Sequence, residues 1–144
     1  MDKQSILSSE NFKCSVSSVL NKDTKQHGKQ FLYDGQDDTA WSSNEGSPQY
    51  ISIEFENLQS ISSFSLQFQG GFASKEGRIE IQREENETGG STAYEQTFYA
   101  DDVNSVQCFK LEEPQTRVRR VKFVFNTSTD FFGRIIVYSL KIFN

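Results

Sequence analysis

Histidine, cysteine, proline and long apolar runs are all scarce in this 144-residue chain, which has one, two and two of the first three. No segment approaches the roughly eighteen consecutive apolar residues of a membrane-spanning helix. The opening Met-Asp-Lys-Gln-Ser-Ile-Leu-Ser-Ser-Glu has no apolar core of the length a secretory signal needs, so a nuclear or cytoplasmic location is expected. Cys14 and Cys108 lie far apart, and in a reducing compartment they are expected as free, buried thiols. On that expectation the Asn86-Glu87-Thr88 and Asn126-Thr127-Ser128 sequons are chance matches. Basic charge is also in deficit. Twenty acidic residues face fifteen basic ones, for a net charge of −5. A duplex-binding protein needs a cationic footprint to release counterions from phosphate, so direct nucleic-acid binding is not expected.

The lone histidine, His27, sits in a polar loop among Lys22, Asp23, Lys25 and Lys29, with no nucleophile and orienting carboxylate beside it. Zinc-ligand spacing, a phosphate-cradling glycine loop and a nucleophile elbow are all missing from the sequence. The expectation is a chain without catalytic residues.

Aromatics are abundant: thirteen Phe, five Tyr and one Trp. Aromatic and β-branched side chains suit half-buried pleated surfaces. Apolar residues recur with period two, as in Phe64, Leu66 and Phe68, in Ile79 and Ile81, in Val121, Phe123 and Phe125, and in Ile136, Tyr138, Leu140 and Ile142. With segments 14–19, 51–55, 97–99 and 106–111 this makes about eight antiparallel strands, separated by turn-forming clusters. The even cadence predicts an all-β, jelly-roll β-sandwich forming one domain over residues 1–144. Chain ends that both lie near strands predict neighbouring termini. The polar, glycine-rich 85–91 segment predicts a loose hairpin tip.

Four clusters carry candidate chemistry. Asp34, Asp37 and Thr39, with Asp38 between them, gather hard oxygen donors in a tight turn that ends on Trp41. This turn reads either as Asp side chains accepting backbone N–H groups or as a Ca²⁺ site. Trp41 itself reads as a core anchor. Gln69-Gly70-Gly71-Phe72, followed by Lys75, hangs an aromatic on paired glycines. Phe72 then either projects to meet a sugar face or partner pocket, or folds back over the sandwich end. Asp130, Phe131, Phe132 and Arg134 form either a recognition cluster or an internal ion pair around a turn, with one of the two phenylalanines buried. Arg117, Arg119, Arg120 and Lys122 concentrate basic charge on a strand, which reads as a solvated face.

The order of these elements resembles the discoidin domain, also called the coagulation factor V/VIII type C domain, of galactose-binding-like fold. The resemblance runs through Val16-Ser17-Ser18-Val19, Tyr33-Asp34-Gly35, Thr39-Ala40-Trp41-Ser42, the 49–55 strand, Arg78-Ile79-Glu80-Ile81-Gln82, Val118–Phe123 and Gly133-Arg134-Ile135-Ile136 onward. Ser17–Asn21, Gln67–Phe72 and Thr129–Arg134 resemble a small intracellular, single-domain branch of that family. That resemblance implies a protein-interaction module whose partner is an orphan nuclear receptor, with repression of its transactivation as the activity. The wider family implies a glycan as the alternative ligand. Members holding structural Ca²⁺ use the acidic turn plus a glutamate before the final strand, where this chain has Val137-Tyr138-Ser139-Leu140. The binding end is expected in loops 21–29, 42–48 and 70–77, with 130–134 as a second surface.

Overall fold

A computed structural model describes residues 4–85 and 91–144. The expected hairpin tip at 85–91 therefore lies, but for its two ends, outside the described residues, as does the sequon at Asn86. Seven strands are described: β1 (Phe12–Val16), β2 (Trp41–Ser42), β3 (Gln49–Phe68), β4 (Glu76–Glu85), β5 (Ser91–Tyr99), β6 (Gln107–Phe125) and β7 (Ile136–Phe143). All pair antiparallel. A single α-helical turn, α1 (Thr24–His27), starts on Asp23, whose carboxylate accepts the Gln26 N–H.

Each of the eight expected strand segments overlaps a strand, but two pairs of them are halves of one element. Segments 51–55 and 64–68 both belong to β3, and 121–125 and all but Val106 of 106–111 belong to β6. Register shifts between Glu54 and Ser63 bend β3 against β6 without breaking the pairing. The first half of β3 pairs with β1 and the last half of β6, which continues into β4 and β5. Its second half pairs with β7, which continues into β2. These two layers make the β-sandwich. The first expected strand also ends early, since Ser17 and Ser18 leave β1 to make side-chain bonds described below.

Aromatic rings fill the space between the layers. Phe64 meets Phe123 at 5.1 Å, Phe109 at 5.1 Å and Phe98 at 5.3 Å, and Phe68 meets Phe125 at 5.5 Å. Gly77 allows this packing. A Cβ there would come within 2.4 Å of the Phe98 ring and 2.9 Å of the Val124 carbonyl. The two ends of the described chain meet, with the Ile142 N–H donating to Ser5 Oγ at 3.1 Å.

Both cysteines are free, but only Cys14 is buried. Cys108 is exposed because alternation along the start of β6 turns Phe109 and Leu111 inward and Cys108 and Lys110 out. Burial pushes the Cys14 thiol up to about 12, against a smaller opposing pull from Lys29. A disulfide-exchange reagent at neutral pH is thus expected to label Cys108 alone in the native protein, and Cys14 only after denaturant is added. Two native thiols titrating together would contradict the packing around Cys14.

Candidate functional site

The strand register places loops 43–48, 69–75, 100–106 and 126–135 at one end of the sandwich. Gln49 at the start of β3 faces Phe125 at the end of β6, Gly77 faces Phe125 as well, and Glu76 faces Tyr99. The segment after β1 reaches the same end, where the Asn21 N–H donates to Asn44 Oδ1. Loops 42–48 and 70–77 and the second surface at 130–134 therefore share one end, to which segment 21–29 is tied through Asn21.

A polar network fixes the floor of this end. Ser17 and Ser18 hydroxyls both donate to Gln49 Oε1, while Gln49 Nε2 donates to the Asn44, Glu45 and Gly46 carbonyls. Trp41 Nε1–H donates to the Ser18 carbonyl at 2.9 Å. The indole is fully buried and packs near Phe125 at 6.4 Å, so Trp41 is the expected core anchor. Its single polar atom ties the core to the loops.

Loop 43–48 then holds turn 130–133. The Gly46 N–H donates to the Phe132 carbonyl at 2.8 Å, and the Gly133 N–H closes the turn on the Asp130 carbonyl at 3.0 Å. Gly133 has φ +88°, and a Cβ there would sit 2.7 Å from the Gly46 carbonyl carbon. Both facts demand glycine. Gly133→Ala is expected to cost about 1–3 kcal/mol through strain and displacement of loop 43–48. An unchanged urea midpoint would contradict this close approach.

Asp130 Oδ2 accepts both the Arg134 N–H and Arg134 Nε–H at 3.1 Å. The side-chain bond from Arg134 is the main reason the Asp130 carboxyl lies below its ordinary range. Ser128 Oγ donates to the Arg134 carbonyl and accepts the Asp130 N–H, so each end of the turn is held. The guanidinium lies 5.3 Å from the centre of the Phe72 ring and 6.0 Å from that of Phe132.

These bonds turn both phenylalanines outward. Phe131 is 94% exposed and Phe132 54%, with the rings edge to face at 5.3 Å. The sequence expectation that one of them is buried is corrected: they occupy the two corner positions of a closed turn, which has no inward side. Phe72 is half-buried, with the Arg134 guanidinium over its ring. Gln69, Gly70 and Gly71 shape the loop from within. Gln69 Oε1 accepts the Tyr138 hydroxyl, the Gly70 N–H donates to Asn104 Oδ1, and the Gly71 N–H donates to Asp102 Oδ1. Of the paired glycines only Gly71 uses positive φ, at +92°. Lys75 is exposed. The 69–75 and 126–135 loops are joined by the Thr129 N–H to the Ala73 carbonyl and the Ala73 N–H to Thr129 Oγ1. Asp102 and Asn104, which sequence reasoning passed over, buttress this junction from a third loop.

The acidic turn lies against β7, and Gly35, Gln36 and Asp37 line a pocket with Tyr138, Ser139 and Val106 of loop 100–106. Asp34 Oδ1 accepts the Gln36 N–H at 2.9 Å and Oδ2 accepts the Thr39 hydroxyl at 2.6 Å, while Asp37 and Asp38 are exposed. Ca²⁺ takes six to eight oxygens. Among the described residues no three His, Cys, Asp or Glu side chains are grouped to hold a metal ion. The two Asp34 hydrogen bonds tie the turn to Gln36 and Thr39.

On the basic strand, Arg120 pairs with Glu54 at 2.9 Å, Arg117 pairs with Glu84, and Lys122 lies over Tyr50 at 4.4 Å. Arg119 donates to the Phe55 and Glu56 carbonyls. The group is distributed over internal pairs.

A family model described as F5/8 type C domain matches residues 12–136. Nuclear receptor 2C2-associated protein of Danio rerio is 44% identical over 88% of this chain and 86% of its own length. The Homo sapiens protein of that name is 40% identical over 88% and 87%. Among solved structures, the F5/8 type C domain of a Bacteroides fragilis protein superposes with TM-score 0.78 at 15% identity, covering 92% and 91% of the two chains. The family 32 carbohydrate-binding module of Clostridium perfringens NanJ, solved with galactose, gives 0.73 at 18% over 99% and 100%.

Proposed function

The chain belongs to the F5/8 type C domain family, within the branch of the nuclear receptor 2C2-associated proteins, and from that membership we propose that it is a non-catalytic module that docks a nuclear receptor. The receptor is nuclear receptor 2C2, the one the relatives are named for, and docking in the nucleus or cytoplasm represses its transactivation. The observation that carries this reading is the Phe131–Phe132 pair, exposed on a turn that bonds from Gly46, Ser128 and Arg134 hold rigid. Aromatic side chains dominate the energetic centres of protein interfaces, and rigid ones lose little entropy on binding. Beside the pair, Arg134 is stacked on Phe72 and fixed by Asp130, so it too is pre-arranged.

Phe72 is a poor platform for a sugar, because one face of its ring is taken by Arg134. This favours a protein partner over a glycan.

Co-precipitation with the receptor tests the proposal. Phe131→Ser with Phe132→Ser is expected to weaken capture at least tenfold, since two interface anchors each cost about 1 kcal/mol or more. Because both side chains lie outside the core, the unfolding midpoint should move by no more than about 2 °C. Full capture by a folded double variant would refute the site.

A further inference from the structure

We infer that the pocket receiving the Phe131–Phe132 pair presents main-chain carbonyl oxygens on its rim, and that Arg134 meets them; this rests on the docking reading above and deepens it. Arg134 is fixed at several points. Its backbone N–H donates to Asp130 Oδ2, and its carbonyl accepts the Ser128 hydroxyl. Its Nε–H donates to the same carboxylate oxygen, and the rings of Phe72 and Phe132 lie within cation–π range of the guanidinium. The terminal amino groups, Nη1 and Nη2, are left over. Among the described residues no oxygen accepts a hydrogen bond from either. The Arg134 side chain is 34% exposed and that of Asp130 only 12%. The arginine is thus the part of the ion pair that a partner can reach.

Docking the aromatic pair decides what must lie opposite. A pocket that closes over Phe132 also strips water from the guanidinium, 6.0 Å from the centre of that ring. An N–H left without an acceptor after desolvation is costly, so the partner has to supply oxygens there. Charge then selects the kind of oxygen. The charged groups acting on the guanidinium are both carboxylates, Asp130 in contact and Glu45 at longer range. A carboxylate from the partner would add further negative charge to a cation already compensated, and would itself lose water. Main-chain carbonyls take the N–H groups without adding charge, and the planar fork suits a pair of them side by side.

The test measures the affinity of purified nuclear receptor 2C2 for the full chain, with Arg134→Lys and Arg134→Met as variants. Lysine keeps the charge and loses the fork, whereas methionine keeps an apolar stem and loses every donor. Each is expected to weaken binding about five- to tenfold. For Arg134→Met that ratio to wild type is expected to hold within about twofold between roughly 50 and 300 mM salt, because neutral acceptors are not screened. The backbone bonds of residue 134 do not need its side chain, so the amide shifts of residues 131–133 report whether the turn is intact in each variant. A second measurement needs no variant. In the wild-type complex the Arg134 Nη protons should exchange with water more slowly than in the free protein.

Three results overturn the inference: a variant with an intact turn that binds as wild type does, an Arg134→Met ratio that falls toward one as salt rises, and Nη protons that stay exposed in the complex. The second of these would assign a carboxylate in place of the carbonyls. Failure here is separable from failure of the docking proposal. If the double phenylalanine variant loses the receptor while the Arg134 variants bind it as wild type does, only the Arg134 inference falls.

Discussion

Trp41→Ala is expected to lower the free energy of unfolding by about 3–5 kcal/mol, the usual cost of truncating a fully buried large aromatic. For a domain of this size that is roughly 10–20 °C in the thermal midpoint. Two separate losses combine. The cavity next to Phe125 removes apolar contact from the centre of the sandwich. The Ser18 carbonyl also loses the indole N–H. Ser18 is the residue whose hydroxyl accepts the Asn44 N–H and donates to Gln49. Loop 43–48 then loses part of its floor, and with it the Gly46 bond to Phe132. Heteronuclear NMR of the variant should therefore show loop 43–48 and turn 130–133 loosening below the melting temperature. A variant that melts within a few degrees of wild type would contradict the assignment of Trp41 as anchor.

Phe64→Ala is expected to cost a similar 3–5 kcal/mol by a different route. Phe64 is fully buried and touches Phe98, Phe109 and Phe123, so its loss opens a cavity among rings from β5 and both halves of β6. Edge-to-face and stacked pairs add about 0.5–1.5 kcal/mol each beyond burial. None of the loop-end hydrogen bonds involves this residue. The prediction is a protein with a much lower midpoint whose turn 130–133 keeps wild-type amide shifts at low temperature. Equal loosening of the loop end in both variants would show that the Trp41–Ser18 bond has no special part in fixing it.

The contrast between Trp41 and Phe131 shows what local sequence carries. A single tryptophan between a tight turn and a strand has one sensible place to go, and the structure puts it there. The same preference for burying aromatics misdirects the reading of Phe131 and Phe132. Their exposure is decided by Asp130 and Gly133 closing a turn, and by Gly46 arriving from a distant loop to hold it. Alternation in Phe64–Phe68 and Val121–Phe125 announces strands, yet nothing in those short patterns says that the bulges between halves keep one strand continuous.

The union of loops 69–75 and 126–135 was equally hidden. It depends on Thr129 pairing with Ala73 and on Asp102 reaching Gly71, contacts that only the completed sandwich brings together. By contrast, the bonds of Asp34 were open to reading from the sequence, because its partners Gln36 and Thr39 lie within five residues.

The central claim is that partner binding occurs at the loop end. The most direct measurement is the footprint of the bound receptor on this chain by amide hydrogen exchange or cross-saturation NMR. The expected footprint covers Phe131, Phe132, Arg134, loop 43–48 and loop 100–106. Protection confined to the charged strand face around Glu54, Arg120 and Lys122, with turn 130–133 unchanged, would contradict it.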